Sequence, residues 1–243
     1  DRAHFLRRMQ SAGEVHDEVR FKKKDGTEFD CERTAVARRD YHAEVPVFQG
    51  IMRDVTQRNR DRAELERLAR FDTLTGLMNR RTVLEKLDEW ISHQDRYGGA
   101  LSVLMLDLDH FKKVNDVHGH AAGDAVLMTA AQLLTKSVRQ ADVVGRHGGE
   151  EFLIILPRTN AAGSAVIAER IRTAIGNAPF SISESVRLRV TTSVGVAERG
   201  SGESANRLLA RADAALYEAK RSGRNRVATA PVSDREQEPA PGD

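Results

Sequence analysis

The period of apolar residues changes several times along the 243 residues. An apolar run from Leu101 to Leu106 predicts a strand buried on both faces. Val186, Leu188, Val190, Thr192, Val194 and Val196 alternate with Arg187, Arg189 and small or polar residues, which predicts one half-buried strand. Helical spacing marks four amphipathic segments. They are centred on Val83–Ile91, Leu127–Leu134, Ile167–Ile175 and Leu208–Ala219. Gly223 is placed to end the last of these. Val143-Val144, a Gly148-Gly149 turn and Phe152–Leu156 read as a hairpin, and Val227 opens a short last strand. The order of elements contains β-α-β-β-α-β. That is an α+β fold with a ferredoxin-like antiparallel sheet flanked by helices.

The first 55 residues read as β. Val15, Val19 and Phe21 alternate, Asp25-Gly26 supplies a two-residue hairpin turn, and Phe29 to Ala37 return. A polar loop, Arg38–Glu44, leads to a third strand from Val45 to Val55. Three strands with one apolar face are too little for an independent domain. From Thr56 to Phe71 the chain is polar and helical. Val55, Leu65, Leu68 and Ala69 recur at 3- and 4-residue spacing, while Arg58 and Arg62 occupy two other seam positions. A linking helix that pairs with its copy and a lone solvated helix both fit that pattern. The expected organisation is 1–55, a linker over 56–71, a main domain over 72–230, and a disordered tail over 231–243, rich in Pro, Glu and Asp.

A formal net charge of +2 gives no global argument for a nucleic-acid or membrane surface. The basic clusters at Arg20–Lys24 and Arg53–Arg70 read as solvated faces. Cys31 is the only cysteine, so no intrachain disulfide forms, which fits a reducing compartment. No apolar run approaches the ~20 residues of a membrane helix. Asp1 in place of an initiating Met fits a fragment, whose parent could carry an anchor upstream.

Three clusters carry candidate chemistry. Asp107 and Asp109 end the apolar strand on one face, where a carboxylate suits Mg²⁺ or, at Asp109, a helix N-cap. Arg146-His147-Gly148-Gly149-Glu150-Glu151-Phe152 places two acids on the hairpin. Adjacent strand residues point to opposite faces, so only one of the two shares a face with Asp107. The alternative is a hairpin tip with solvated glutamates. Phe111–Asp116, Gly119-His120 and Gly123-Asp124 form the third cluster. A lysine one turn past a metal carboxylate can neutralise a phosphoryl group. Asn115 and Asp124 can accept from the paired donors of a guanine edge. A solvated helix face and a favourable charge at a helix start are the plain alternatives.

Taken together these residues resemble a known family. Asp72-Thr73-Leu74-Thr75-Gly76-Leu77-Met78-Asn79-Arg80-Arg81, the segment Asp107–Asp124, the GGEEF string Gly148–Phe152, Tyr217-Glu218-Ala219-Lys220 and Gly223-Arg224-Asn225-Arg226 stand in the order and spacing of a GGDEF diguanylate cyclase domain. The resemblance runs from Asp72 to Ala228. It implies that Mg²⁺ is held by Asp107, Glu150 and Glu151 with the Leu108 carbonyl. Glu150 would also accept the ribose proton. Lys112 would stabilise phosphate charge, Asn115 and Asp124 would bind guanine, and Lys220 and Arg224 would contact phosphates. His120 receives no role and Asp109 a structural one. The implied substrate is GTP, the product cyclic di-GMP, and the active assembly a homodimer, with no nucleic-acid partner and a cytoplasmic location. Arg139-Gln140-Ala141-Asp142 resembles the family's Arg-x-x-Asp inhibitory site, which Arg170 would join; a helix-end ion pair is the alternative. Gly13–Val55 resembles the closing sheet of a PAS sensor, through Lys24-Asp25-Gly26-Thr27 and Gly50–Thr56, and Phe5–Met9 would be the last remnant of that fold's helices. The competing reading is a catalytically silent module that binds cyclic di-GMP through Arg139 and Asp142 or serves only in dimerisation.

Overall fold

The structure is a computed structural model and describes residues 2–38, 47–182 and 186–231. The chain forms two compact units, divided between Ala69 and Arg70. In the first, α1 (Arg2–Ala12) precedes an antiparallel three-stranded sheet of β1 (Glu14–Lys22), β2 (Glu28–Arg38) and β3 (Val47–Asp54), in that order. Helix α2 (Thr56–Arg70) follows and buries no residue. The β1–β2 turn is longer than two residues. The Lys23 amide donates to the Thr27 carbonyl at 2.7 Å, leaving three residues in the loop. Gly26 takes the left-handed conformation there (φ +90°), the geometry of a type I turn closed by a glycine bulge. Met9, Val15 and Ala35 form a small core cluster with Phe5 against it, and Cys31 and Val55 are buried as well. Residues 39–46, which hold most of the expected polar loop and the start of the third strand, lie outside the described residues, as does the tail over 232–243.

The second unit is built on a five-stranded sheet. Its elements run α3 (Arg80–Tyr97), β4 (Leu101–Leu108), α4 (Phe111–His118), α5 (His120–Lys136), β5 (Val143–Arg146), β6 (Glu151–Pro157), α6 (Ala161–Asn177), β7 (Phe180–Ser181), β8 (Arg187–Leu188), β9 (Thr192–Glu198), α7 (Ala205–Arg221) and β10 (Val227–Thr229). The sheet order is β10-β9-β4-β6-β5. In the stretch β5-β6-β4-β9 each strand is antiparallel to its neighbour, as the ferredoxin-like pattern requires. The appended β10 runs parallel to β9, so the sheet is mixed rather than wholly antiparallel. Helix α7 lies between these two strands in the chain, and a strand–helix–strand crossover returns the chain in its original direction.

Every residue of β4 is buried. Leu104, Leu106 and Leu108 enter one core cluster with α5 and α6, while Leu101, Val103 and Met105 enter the other with α3 and α7. This two-sided burial explains the uninterrupted apolar run. It also explains a departure from expectation at Val186–Val196, which is not one half-buried strand. Arg187-Leu188 pairs in a short ribbon with Phe180-Ser181, and only Thr192–Glu198 joins the sheet. There Val194 and Val196 face the cluster with α5 and α6 and Ala197 the cluster with α3 and α7, so its alternation becomes burial on both faces. Gly195 is required at its centre. A Cβ there would overlap the Ala212 carbonyl and the Leu216 amide of α7. The close approach presses α7 onto β9 and carries Lys220, near the helix end, over the end of β4.

Candidate active site at the carboxyl end of the central strand

The β4–β6 register sets Asp107 directly opposite Glu151. Cross-strand partners share a face, so Glu151 is the hairpin acid aligned with Asp107. Glu150, just before β6, is tied to the same place by its backbone. Its carbonyl accepts from the Leu108 amide at 3.3 Å. The Lys220 ammonium sits 2.7 Å from Asp107 Oδ2. Burial pushes the Asp107 carboxyl above the ordinary carboxylate value; Lys220 pulls it back, and Glu151 and Asp109 add to the rise. Burial also raises Glu150, with Asp107 and Glu151 reinforcing and Lys220 opposing. Three carboxylates thus share one low-dielectric strand end. Oxygen donors of this kind suit a hard divalent cation. Among the described residues no three His, Cys, Asp or Glu side chains already converge as an ion cage, and it is Lys220 that neutralises Asp107.

The hairpin tip is clamped by a residue whose role the sequence did not reveal. The Arg146 Nε and Nη2 donate to the Gly149 carbonyl at 3.1 and 2.7 Å, and Nη1 reaches both Asp72 oxygens at 3.1 Å. Asp72 also accepts from the Thr75 amide and hydroxyl, at 2.8 and 2.6 Å. Burial raises the Asp72 carboxyl, but the Thr75 bonds and the Arg146 charge outweigh it and leave the group below its usual value. The opening segment therefore braces the hairpin from 74 residues away. Neither hairpin glycine takes a positive φ. At Gly148 a Cβ would come within 2.6 Å of Glu151 Oε2, so a larger residue there would displace that carboxylate. A Cβ on Gly149 would meet nothing. Burial, with help from Arg80, holds the neighbouring His147 below the usual imidazole value.

Asp109 is a structural anchor. Oδ2 accepts from the Thr191 hydroxyl at 2.6 Å and the Asn225 amide at 3.0 Å, and Oδ1 from the Ser193 hydroxyl at 2.7 Å. It therefore ties the β4 end to β9 and to the turn after α7. In that turn Arg224 and Asn225 both take left-handed conformations (φ 61° and 45°). Arg224 is exposed.

Helices α4 and α5 supply the outer group. Lys112 is exposed in the first turn of α4, and Asp124 is exposed in the first turn and a half of α5. Asn115 lies against Gly123, where a Cβ would overlap its amide oxygen. The missing side chain at Gly123 thus seats Asn115 beside the residue preceding Asp124. His120 is exposed at the start of α5.

Arg139 and Asp142 stand in the turn between α5 and β5. The Asp142 carboxylate accepts from the Arg139 backbone amide at 2.8 Å, not from its guanidinium, so the turn is capped rather than ion-paired. Arg170 on α6 donates twice to the carbonyl of Ser137, two positions before Arg139 in the chain, at 3.0 and 2.6 Å.

Comparison with known proteins identifies the family to which this fold belongs. The family model for the diguanylate cyclase GGDEF domain matches residues 69–226. Among curated relatives, diguanylate cyclase DgcP of Pseudomonas aeruginosa is 43% identical over 159 residues, covering 65% of this chain and 24% of that protein. Response regulator PleD of Caulobacter vibrioides is 45% identical over 162 residues, covering 66% and 36%. The chain thus spans roughly a quarter to a third of these relatives. Among solved structures, the coiled coil and GGDEF domain of DgcB from Caulobacter crescentus, in complex with c-di-GMP, aligns with a TM-score of 0.67 at 36% identity, over 72% of this chain and 93% of that one. The active GGEEF domain of a diguanylate cyclase from Vibrio cholerae aligns at 0.61 and 34%, over 65% and 99%. With the family model matching well over half of its residues, the chain belongs to the GGDEF family of diguanylate cyclase domains.

Proposed function

We propose that this chain is a diguanylate cyclase that joins two GTP molecules into cyclic di-GMP across a homodimer. The observation that carries this reading is the Asp107–Glu151 cross-strand pair, with Glu150 beside it, in a domain of this family. Asp107, Glu150, Glu151 and the Leu108 carbonyl would hold Mg²⁺, which when bound offsets negative charge on the phosphates. Glu150, its carboxyl raised by burial and by Asp107, accepts the proton of the ribose 3′-hydroxyl. The freed oxygen bonds to the α-phosphorus of the other GTP as the bond to pyrophosphate breaks. Asn115 and Asp124 bind guanine. Lys112 stabilises charge on the reacting phosphate. Lys220 exchanges Asp107 for a phosphate, and Arg224 joins it.

Each copy presents half of the reaction, so the pairing of copies supplies the proximity that the step needs. Arg139, Asp142 and Arg170 bind the product and slow the enzyme. The sheet of β1 to β3 is the closing part of a PAS sensor, and α2 carries its state to the cyclase. A GTP substrate and a lone cysteine fit the cytoplasm.

The test is chromatography of the purified chain after incubation with GTP and Mg²⁺ at several protein concentrations. Cyclic di-GMP should form, with a specific rate that rises with concentration, and Arg139→Ala should relieve inhibition by added product. No product at any concentration would overturn the reading.

A further inference from the structure

A cavity lies on the side of α4 away from Lys112 and Asn115. At about 100° per residue, Lys113, Val114 and Val117 project away from the face that carries Lys112 and Asn115. They meet Leu188, Arg189 and Val190 across a cavity of about 380 Å³. The imidazoles of His110 and His118 stand at its edge. We propose that this cavity binds a small organic anion with an apolar body, apart from the nucleotide site.

Three features support this assignment. The volume falls within the range of small-molecule sites. The lining combines four aliphatic side chains with two basic ones, Lys113 and Arg189, and neither has an ion-pair partner among the described residues. The one carboxylate in the wall, Asp109, is already engaged by Thr191, Ser193 and Asn225, so it does not neutralise the cations by direct contact. A planar or aliphatic body can rest on the valines and leucine while its anionic group takes charge-assisted bonds from Lys113 and Arg189. The occupant would also touch Thr191 and Asp109, the residues that tie the end of β4 to β9.

The experiment is methyl-resolved NMR of the full chain titrated with phenyl phosphate, and separately with inorganic phosphate. Phenyl phosphate should shift the methyls of Val114, Val117, Leu188 and Val190 saturably, and inorganic phosphate should bind more weakly. Lys113→Gln with Arg189→Gln should raise the Kd about tenfold or more. Val117→Glu, at an exposed position, should repel the anion with the fold unchanged. Asn115→Ala should leave the titration as it was. Absence of saturable shifts, shifts of equal size in the charge variants, or loss of binding in Asn115→Ala would each overturn the assignment. None of these readouts depends on turnover, so the site stands or falls separately from the cyclase reading.

Discussion

The two compact units use the same β pattern to different ends. In the second, helices cover both faces of the sheet, and every residue of β4 is buried. In the first, the buried apolar residues are Met9, Val15, Cys31, Ala35 and Val55 among those described, while Ile51 and Met52 on β3 remain 73% and 60% exposed. The difference lies in the helices rather than the strands. Helix α1 packs Met9 against one face of its sheet, and α2 buries nothing. A strand earns stability only where a second layer removes it from water. The covered sheet can therefore tolerate three carboxylates and a lysine at one end, because its core is secured elsewhere.

The largest expected effect tests whether that charged end is chemical rather than structural. Glu150→Gln keeps the shape and removes the proton acceptor, so cyclic di-GMP formation should fall at least about 100-fold with an unchanged thermal midpoint. An unaltered rate would remove Glu150 from the mechanism.

A smaller effect contrasts the two packings directly. Gly195→Ala forces a methyl into the α7 backbone and should cost about 1–3 kcal/mol. Ile51→Ser, on the exposed face of β3, should change stability by no more than about 0.5 kcal/mol. Equal losses in denaturant titrations would break the comparison.

The smallest effect concerns the brace of the hairpin. Asp72 sits below its usual value of 3.8 in the folded chain, so its contribution is present above that pH and is lost as pH falls through the folded value. Asp72→Asn should lower stability at neutral pH by about 1 kcal/mol and flatten the acid limb of the stability profile. A limb as steep as that of the parent chain would exclude Asp72 as its source.

Periodicity revealed the elements where a single rule applied. The run at Leu101–Leu106 and the four helical stripes appear as strand and helices because local spacing and burial agree there. It failed at Val186–Val196, where alternation persists across a short ribbon, a bend and a central strand, and only pairing partners distinguish them. The same limit applied to the site. Asp107, Glu150 and Glu151 stood out as acids beside apolar strands. The choice between the two glutamates required the register, which pairs Glu151 with Asp107 and leaves Glu150 at the strand's threshold. Arg146 precedes the glycine turn in plain view, but its partner Asp72 is too distant for any local pattern to connect them.

The sequence by itself therefore determined the family, the central strand with its main helices, and which residue types stand at the end of that strand. Motif, spacing and hydrophobic period are all local properties of the chain. The tertiary structure decided the parallel direction of β10, the pairing of Lys220 with Asp107, the anchoring of Asp109 by Thr191, Ser193 and Asn225, and the Arg146 clamp. Each of these is an electrostatic or hydrogen-bonded contact between residues far apart in sequence. Its energy depends on distance and burial, which exist only once the layers have packed.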